Sequence, residues 1–362
     1  MTLNRRGASR ADAAPIVLTM GEPAGIGGEI SLMAWRAAQA DGRDRANDPA
    51  GPFFLIDDPQ RLTDQASTLG LEVPVAPISQ ACEAKAVFDR ALPVLPLALP
   101  ASVQPGQPNP SNARAVIESI ERAVALATTG EAAAVVTNPI HKKALYGAGF
   151  PHPGHTEFLA ALVRSAEAPV MMLACPALRV VPVTVHLPLA KALASLSSEA
   201  IVHAGRVTAH ALRRDFGIET PRLAVAGLNP HAGEHGALGN EETQIIGPAV
   251  AALRAEGIQA FGPEPADTLF HATARARYDA VLCMYHDQAL IPLKTIDFER
   301  GVNITLGLSI VRTSPDHGTA LGIAGQGVAN PASLIAALET ARSMANARAA
   351  AAKVSTAPKA LA

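Results

Sequence analysis

The sequence predicts an α/β protein built on one or more largely parallel sheets. Two observations carry this expectation: a strand, turn and helix pattern opens the chain and then recurs, and helical stretches separate many of the strand candidates. With 362 residues, 49% of them hydrophobic, the chain can bury a large core, and its length suits two domains. The opening run Pro15 to Thr19 is β-rich; a Gly/Pro turn follows, and Glu29 to Ala40 has an alanine-rich helical pattern. Further strand candidates are Phe53 to Ile56, Ala133 to Val136, Val170 to Leu173, Val180 to Val185, Leu223 to Ala226, Ala280 to Met284 and Ile304 to Val311. The longest helical stretch runs from about Leu189 to Phe216. The proline-rich segments Leu92–Pro100 and Gln104–Pro110 read as connections, the second as a candidate domain boundary. Met1 to Ala14 reads as a disordered extension, and Ala349 to Ala362 as a tail that frays once the helix from Pro331 ends. The expected domains are 1–130 with 306–362, and 131–305, with a cleft between them.

Composition excludes several classes of function. There are 30 basic and 32 acidic residues, so no whole-chain attraction to nucleic acid or anionic lipid is expected. No apolar run reaches the ~20 residues of a membrane-spanning helix. The three cysteines, Cys82, Cys175 and Cys283, form no CxxC, which argues against a thiolate zinc site and fits a reducing, cytoplasmic setting.

The loop Gly21-Glu-Pro-Ala-Gly-Ile-Gly-Gly28 lies between a strand and a helix, where free N–H groups and the helix dipole favour an anion. It fails the dinucleotide fingerprint, because the third glycine position is Ile30; a turn that merely packs helix on strand explains it equally well. Three loops that follow strand candidates each contain a histidine: His186, His231 and His286. Imidazole is a common ligand of divalent metals, and three such ligands leave coordination positions open for substrate. Any one of them taken alone fits a hydrogen-bonded structural residue. His235 lies four residues beyond His231, but Pro230, Gly233 and Gly236 speak against a helix that would place both on one face. Lys294, Asp297, Glu299, Arg300, Asn303 and Arg312 form a polar run; a solvated surface explains the first four as well as a site does, but Lys and Arg are also the usual phosphate holders. Gly154-His155-Thr156-Glu157 opens a helix and offers a hydroxyl and N–H groups to an anion, although Thr156 would serve equally as a plain helix cap.

Several runs together resemble one family, the 4-hydroxythreonine-4-phosphate dehydrogenases of vitamin B6 biosynthesis. They are GEPAGIGGEI at Gly21, TNPIHKKAL at Thr137, GHTEFLA at Gly154, VTVHLPL at Val183, GLNPHAGE at Gly227, YHDQALIPLKTIDFERGVNITLGLSIVRTSPDHGTA at Tyr285 and GIAGQG at Gly322. The resemblance implies a two-domain α/β/α architecture like that of the isocitrate and isopropylmalate dehydrogenases, with a non-Rossmann NAD site in the interdomain cleft. It implies that His186, His231 and His286 bind a divalent metal, zinc or alternatively magnesium or cobalt, with His286 contributed by the partner subunit of a homodimer. It further implies that His155, Thr156, Lys294, Asn303 and Arg312 contact the phosphorylated substrate, with Lys294 or Asp267 taking the proton of the alcohol. The implied reaction is NAD(P)-dependent oxidation of 4-phosphooxy-L-threonine to 2-amino-3-oxo-4-(phosphooxy)butanoate, which decarboxylates to 3-amino-2-oxopropyl phosphate. A paralogue acting on threonate or erythronate 4-phosphate is the nearest alternative. A three-histidine site could instead support metal-assisted hydrolysis or aldol cleavage without NAD(P), and a non-catalytic phosphometabolite-binding protein is the alternative outside enzymes. This chain departs from the family pattern in having Glu22 for Asp, Gly28 for Pro and Gln326 for Lys.

Overall fold

The computed structural model describes residues 14–40, 49–152 and 154–356. In chain order the elements begin β1 (Ile16–Thr19), α1 (Gly27–Ala38), β2 (Phe53–Asp57), α2 (Pro59–Thr68), β3 (Val75–Pro77), α3 (Ala84–Phe88) and β4 (Leu92–Pro96). Next come α4 (Ala113–Thr129), β5 (Ala134–Val136), α5 (Lys142–Gly147), α6 (His155–Leu162), β6 (Val170–Cys175), β7 (Leu178–Pro182), α7 (Leu189–Ser195) and α8 (Ser198–Phe216). The series ends with β8 (Arg222–Ala226), α9 (Gly247–Ala255), β9 (Gln259–Glu264), α10 (Ala272–Arg275), β10 (Ala280–Cys283), α11 (His286–Ile296), β11 (Val302–Leu306), β12 (Arg312–Pro315) and α12 (Ala332–Thr356). Two compact units result: residues up to Val163 with Ser309–Asn346, and Arg164–Leu308 with the residues from Ala347.

The first unit carries a parallel sheet in the order β3-β4-β2-β1-β5-β12. Every residue of β1, β2 and β5 is buried, which is the reason these strands read as continuous apolar runs rather than as alternating patterns. The second unit has the order β11-β6-β7-β10-β8-β9 and is mixed. There β6 runs antiparallel to both β11 and β7, while β7, β10, β8 and β9 are parallel. The α/β expectation therefore holds, with a mixed rather than a wholly parallel second sheet.

Several local expectations change. Leu92–Pro100 is not simply a connection, because Leu92–Pro96 forms β4 between β2 and β3. Complete burial of Leu92 and Val94 outweighs the donors that Pro93 and Pro96 lack. Gln104–Pro110 lies inside the first unit and marks no boundary. β9 escaped notice because Gly262-Pro263 reads as a turn; Gly262 has φ +125°, and a Cβ there would lie 2.3 Å from the Val225 carbonyl oxygen, so only glycine fits. Ile304 to Val311 is not one strand, since Gly307 at φ +89° ends β11 before β12 begins. The long helix expected over Leu189–Phe216 breaks at Leu196, which is extended, and Ser197 caps α8 by accepting from the Ala200 N–H at 3.2 Å. α12 continues to Thr356, beyond the expected onset of fraying at Ala349; residues 357–362 and the leading residues 1–13 lie outside the described residues. No helix among the described residues is long and apolar enough to cross a membrane.

Candidate active site

In the second unit the three strand-end histidines fall on one edge of the sheet. β7, β10 and β8 are parallel neighbours in that order, so the loops after their C-terminal ends emerge side by side, with the loop of His286 between those of His186 and His231. Side chains lock the loops together. The Thr184 hydroxyl donates to the Met284 carbonyl at 2.8 Å. Gln288 accepts from the Met284 N–H and donates to the Gly227 carbonyl, both at 2.7 Å, which ties the loop after β8 to the start of α11. The buried Glu242 carboxylate accepts from the Leu228 and Asn229 N–H groups at 2.8 and 2.7 Å.

His186 and His231 both occupy the left-handed region, at φ +51° and +53°, and Ala232, Glu234 and His235 share it. His231 therefore stands on an irregular turn, and no helical face joins it to His235. Non-glycine residues pay about 1–3 kcal/mol for such conformations, and a run of them is characteristic of functional loops held by their surroundings. The His186 and His286 rings lie 5.4 Å apart, centroid to centroid. His286 Nδ1 pairs with Asp287 Oδ1 at 2.8 Å; an ionised carboxylate only accepts, so Nδ1 carries the hydrogen in this pair and Nε2 is the ring nitrogen with a free lone pair in the neutral imidazole. Among the described residues no three His, Cys, Asp or Glu side chains stand close enough to hold a metal ion. Two neighbouring imidazoles, one oriented by a carboxylate, nevertheless have the donor chemistry of a divalent-metal centre, so the residues present fit such a group.

Other predicted residues of the second unit are spread around α11. Asp267 and Asp287 line one cavity of about 450 Å³ together with Phe270, Tyr285 and Ile291. Lys294 is not in that lining; its Nζ lies 5.5 Å from the Phe298 ring centroid. Asn303 sits on β11 opposite Leu173, and its buried Oδ1 has no hydrogen-bond partner.

The first unit gathers a basic cluster. Arg312, the first residue of β12, pairs with Val135 of β5, and its Nη2 donates to the Thr137 hydroxyl at 2.6 Å. It is 3% exposed, and burial pushes its guanidinium down to about 10, so it stays protonated at neutral pH. His155 opens α6 with its Nε2 buried and unpartnered. Burial, then the positive charges of Arg312 and Lys142, hold its imidazole well below the ordinary value. Thr156 is not the helix cap: Gly154 holds that position, and no side chain caps α6. Lys142 and Thr137, which sequence reasoning did not single out, both lie in the run TNPIHKKAL; Asp287 was passed over beside His286.

The neutral state of His155 has a measurable consequence. An unfolded imidazole titrates near 6.5; in the fold the pKa is depressed, so on acidification the unfolded chain takes up a proton that the folded chain refuses, and stability present above that value is lost as pH falls. The wild-type Tm is expected to fall more steeply than that of His155→Asn between roughly pH 7.5 and 5. Parallel melting curves would contradict a neutral His155.

The loop 21–28 is a close backbone approach. Gly21 has φ +69°, and a Cβ there would lie 2.6 Å from Asn138 Cβ. Glu22 is buried and accepts from the Ala24 N–H at 3.1 Å; burial raises its pKa against the opposing effects of that hydrogen bond, His141 and Arg61.

With this geometry in place, comparison with known proteins is decisive. The family described as pyridoxal phosphate biosynthetic protein PdxA matches residues 50–341. The chain belongs to the PdxA family. A 4-hydroxythreonine-4-phosphate dehydrogenase of Caulobacter vibrioides is 55% identical over 336 residues, 91% of this chain and 97% of that one. The protein of the same description from Bradyrhizobium diazoefficiens is 54% identical over 347 residues, 93% and 98% of the two chains. Among solved structures, the 4-hydroxythreonine-4-phosphate dehydrogenase of Klebsiella pneumoniae superposes with a TM-score of 0.83 at 38% identity, covering 93% of this chain and all of that one. These PdxA-family relatives support a dehydrogenase built on the α/β fold described above.

Proposed function

We propose that this PdxA-family chain oxidises the C3 hydroxyl of 4-phosphooxy-L-threonine with NAD(P)+, forming 2-amino-3-oxo-4-(phosphooxy)butanoate, which decarboxylates to 3-amino-2-oxopropyl phosphate on the way to pyridoxine 5'-phosphate. The observation that carries the phosphate assignment is the cluster around His155: the charges acting on it, Arg312 and Lys142, are both positive, an arrangement that a dianionic phosphate neutralises. Arg312 supplies a permanent cation, neutral His155 a ring nitrogen, and Thr156 a hydroxyl at the start of α6. Asn303 and Lys294 contact the rest of the substrate.

His186, His231 and His286 would hold a divalent metal, for which imidazole donors favour zinc or cobalt over magnesium. When bound, such an ion would supply Lewis-acid chemistry that lowers the pKa of an alcohol, and a nicotinamide would supply the two-electron oxidant. Lys294 or Asp267 takes the hydroxyl proton. The enzyme works as a homodimer whose active site is completed at the subunit interface. Leu187, Leu189, Ile291 and Phe298, exposed in the single chain around the histidine loops and α11, supply apolar surface for it. Three free cysteines, two of them buried, suit a cytoplasmic enzyme.

The test is nicotinamide reduction by the zinc-supplemented protein with 4-phosphooxy-L-threonine and, separately, D-threonate 4-phosphate, each repeated after chelation. Fast, chelator-sensitive reduction with the threonine derivative alone is expected. Reduction with the threonate alone would move the protein to the paralogous substrate, and silence with both would refute a dehydrogenase.

A further inference from the structure

We propose that Glu242 is the positioning residue of the metal centre, its carboxylate fixing the stretch of backbone that aims His231. The inference rests on the three-histidine reading above. The three imidazoles are held in different ways. His286 pairs with Asp287, and the His186 ring packs against that of His286. His231 is exposed, and among the described residues its side chain makes no hydrogen bond or ring contact. Where its imidazole stands is therefore decided by the backbone beneath it. That backbone is strained: His231, Ala232, Glu234 and His235 all lie at φ between +42° and +58°. Such conformations persist only where the surroundings over-determine them.

Glu242 supplies that constraint. It is 4% exposed and opens a single π-helical turn, Glu242–Ile246, that runs into α9. Turns of this kind are rare and recur at functional sites. This one is a firm base, since Ile246, Ala249 and Leu253 are fully buried and the Ser198 hydroxyl of α8 donates to the Ile245 carbonyl at 2.7 Å. From it the carboxylate reaches both limbs of the loop. On the limb that leads to His231, Oε1 accepts from the Leu228 and Asn229 N–H groups at 2.8 and 2.7 Å, and Oε2 from Asn229 Nδ2 at 2.9 Å. On the limb that leaves it, Gly233 passes so close that a Cβ there would lie 2.6 Å from Oε2. One side chain thus grips the chain two residues before His231 and abuts it two residues after. Hydrogen bonds from N–H groups to a carboxylate are shorter and stronger than neutral ones. An amide in its place would keep one acceptor oxygen and turn a donor toward groups that also donate.

The test reads zinc binding rather than turnover, by competition with a chromophoric chelator at least ~20 °C below the Tm of each metal-free protein, where the unfolded fraction is negligible. Under that condition a side chain that only supports global stability leaves the affinity unchanged. Glu242→Gln, which keeps the size, and Glu242→Asp, which draws the carboxylate back by one methylene, are each expected to weaken zinc binding by about 10–100-fold, the range for residues that orient a ligand. Hydrogen exchange on the wild type gives an arm that needs no substitution and stands even if both variants unfold. The Leu228 and Asn229 amides are expected to be protected in the metal-free protein and to exchange at least about tenfold more slowly with zinc bound, because opening the loop then costs a metal ligand. Wild-type zinc affinity in either folded variant, or Leu228 and Asn229 amides that exchange freely or do not respond to zinc, would overturn the assignment. A wild-type protein that binds no zinc would instead refute the three-histidine reading, and this inference with it.

Discussion

Replacing Arg312 with alanine is expected to raise KM for the phosphorylated substrate by roughly 30-fold to several-thousand-fold, the equivalent of the ~2–5 kcal/mol lost when one partner of a buried charge pair is removed. The magnitude follows from burial. Arg312 is 3% exposed and hydrogen-bonded to Thr137, so water screens its attraction for a phosphate little. A lysine there keeps the charge but loses the forked geometry, and Arg312→Lys is expected to recover only part of the loss. Because truncation also leaves a void beside β5, each variant needs a melting curve. The informative comparison is between phosphorylated and unphosphorylated hydroxy acids: the penalty belongs to the former alone. An equal penalty on both would show that Arg312 supports the fold and not the phosphate.

Loss of the histidine centre is the other large effect. His186→Ala and His231→Ala are each expected to leave a folded protein that retains little metal after dialysis and little turnover, since a catalytic metal held by three side chains does not tolerate the loss of one. Asp287→Ala is expected to be milder, lowering metal affinity about 10–100-fold, because Asp287 acts through the orientation of His286 rather than by ligation. Metal content by mass spectrometry, measured beside turnover, distinguishes the cases. A His231→Ala protein with full metal content would remove that residue from the centre, and an Asp287→Ala protein with wild-type affinity would reduce its contact with His286 to a surface pairing.

The candidate site was legible in uneven measure. The three histidines were visible because each lies in a loop that follows an apolar run, and such loops gather at strand ends. Their order in space was not visible. It depends on β10 inserting between β7 and β8, which no local pattern encodes. Asp287 gave no signal beyond adjacency, and Lys142 became relevant only when α5 and α6 brought its charge to His155. β4 and β9 were obscured by proline and glycine, because burial of Leu92 and Val94 and the close approach of Gly262 to Val225 are tertiary facts.

By itself the sequence determined the α/β class, the strands that form the two sheet centres and the family, because continuous apolar runs and long specific motifs are local properties of the chain. Tertiary structure alone decided that β6 lies antiparallel to its neighbours, that Ile304 to Val311 divides at Gly307, and that Arg312 is buried against Thr137. Those outcomes depend on which distant segments pack together, and the free energy of burial that selects the pairing belongs to the assembled contacts and not to either segment alone.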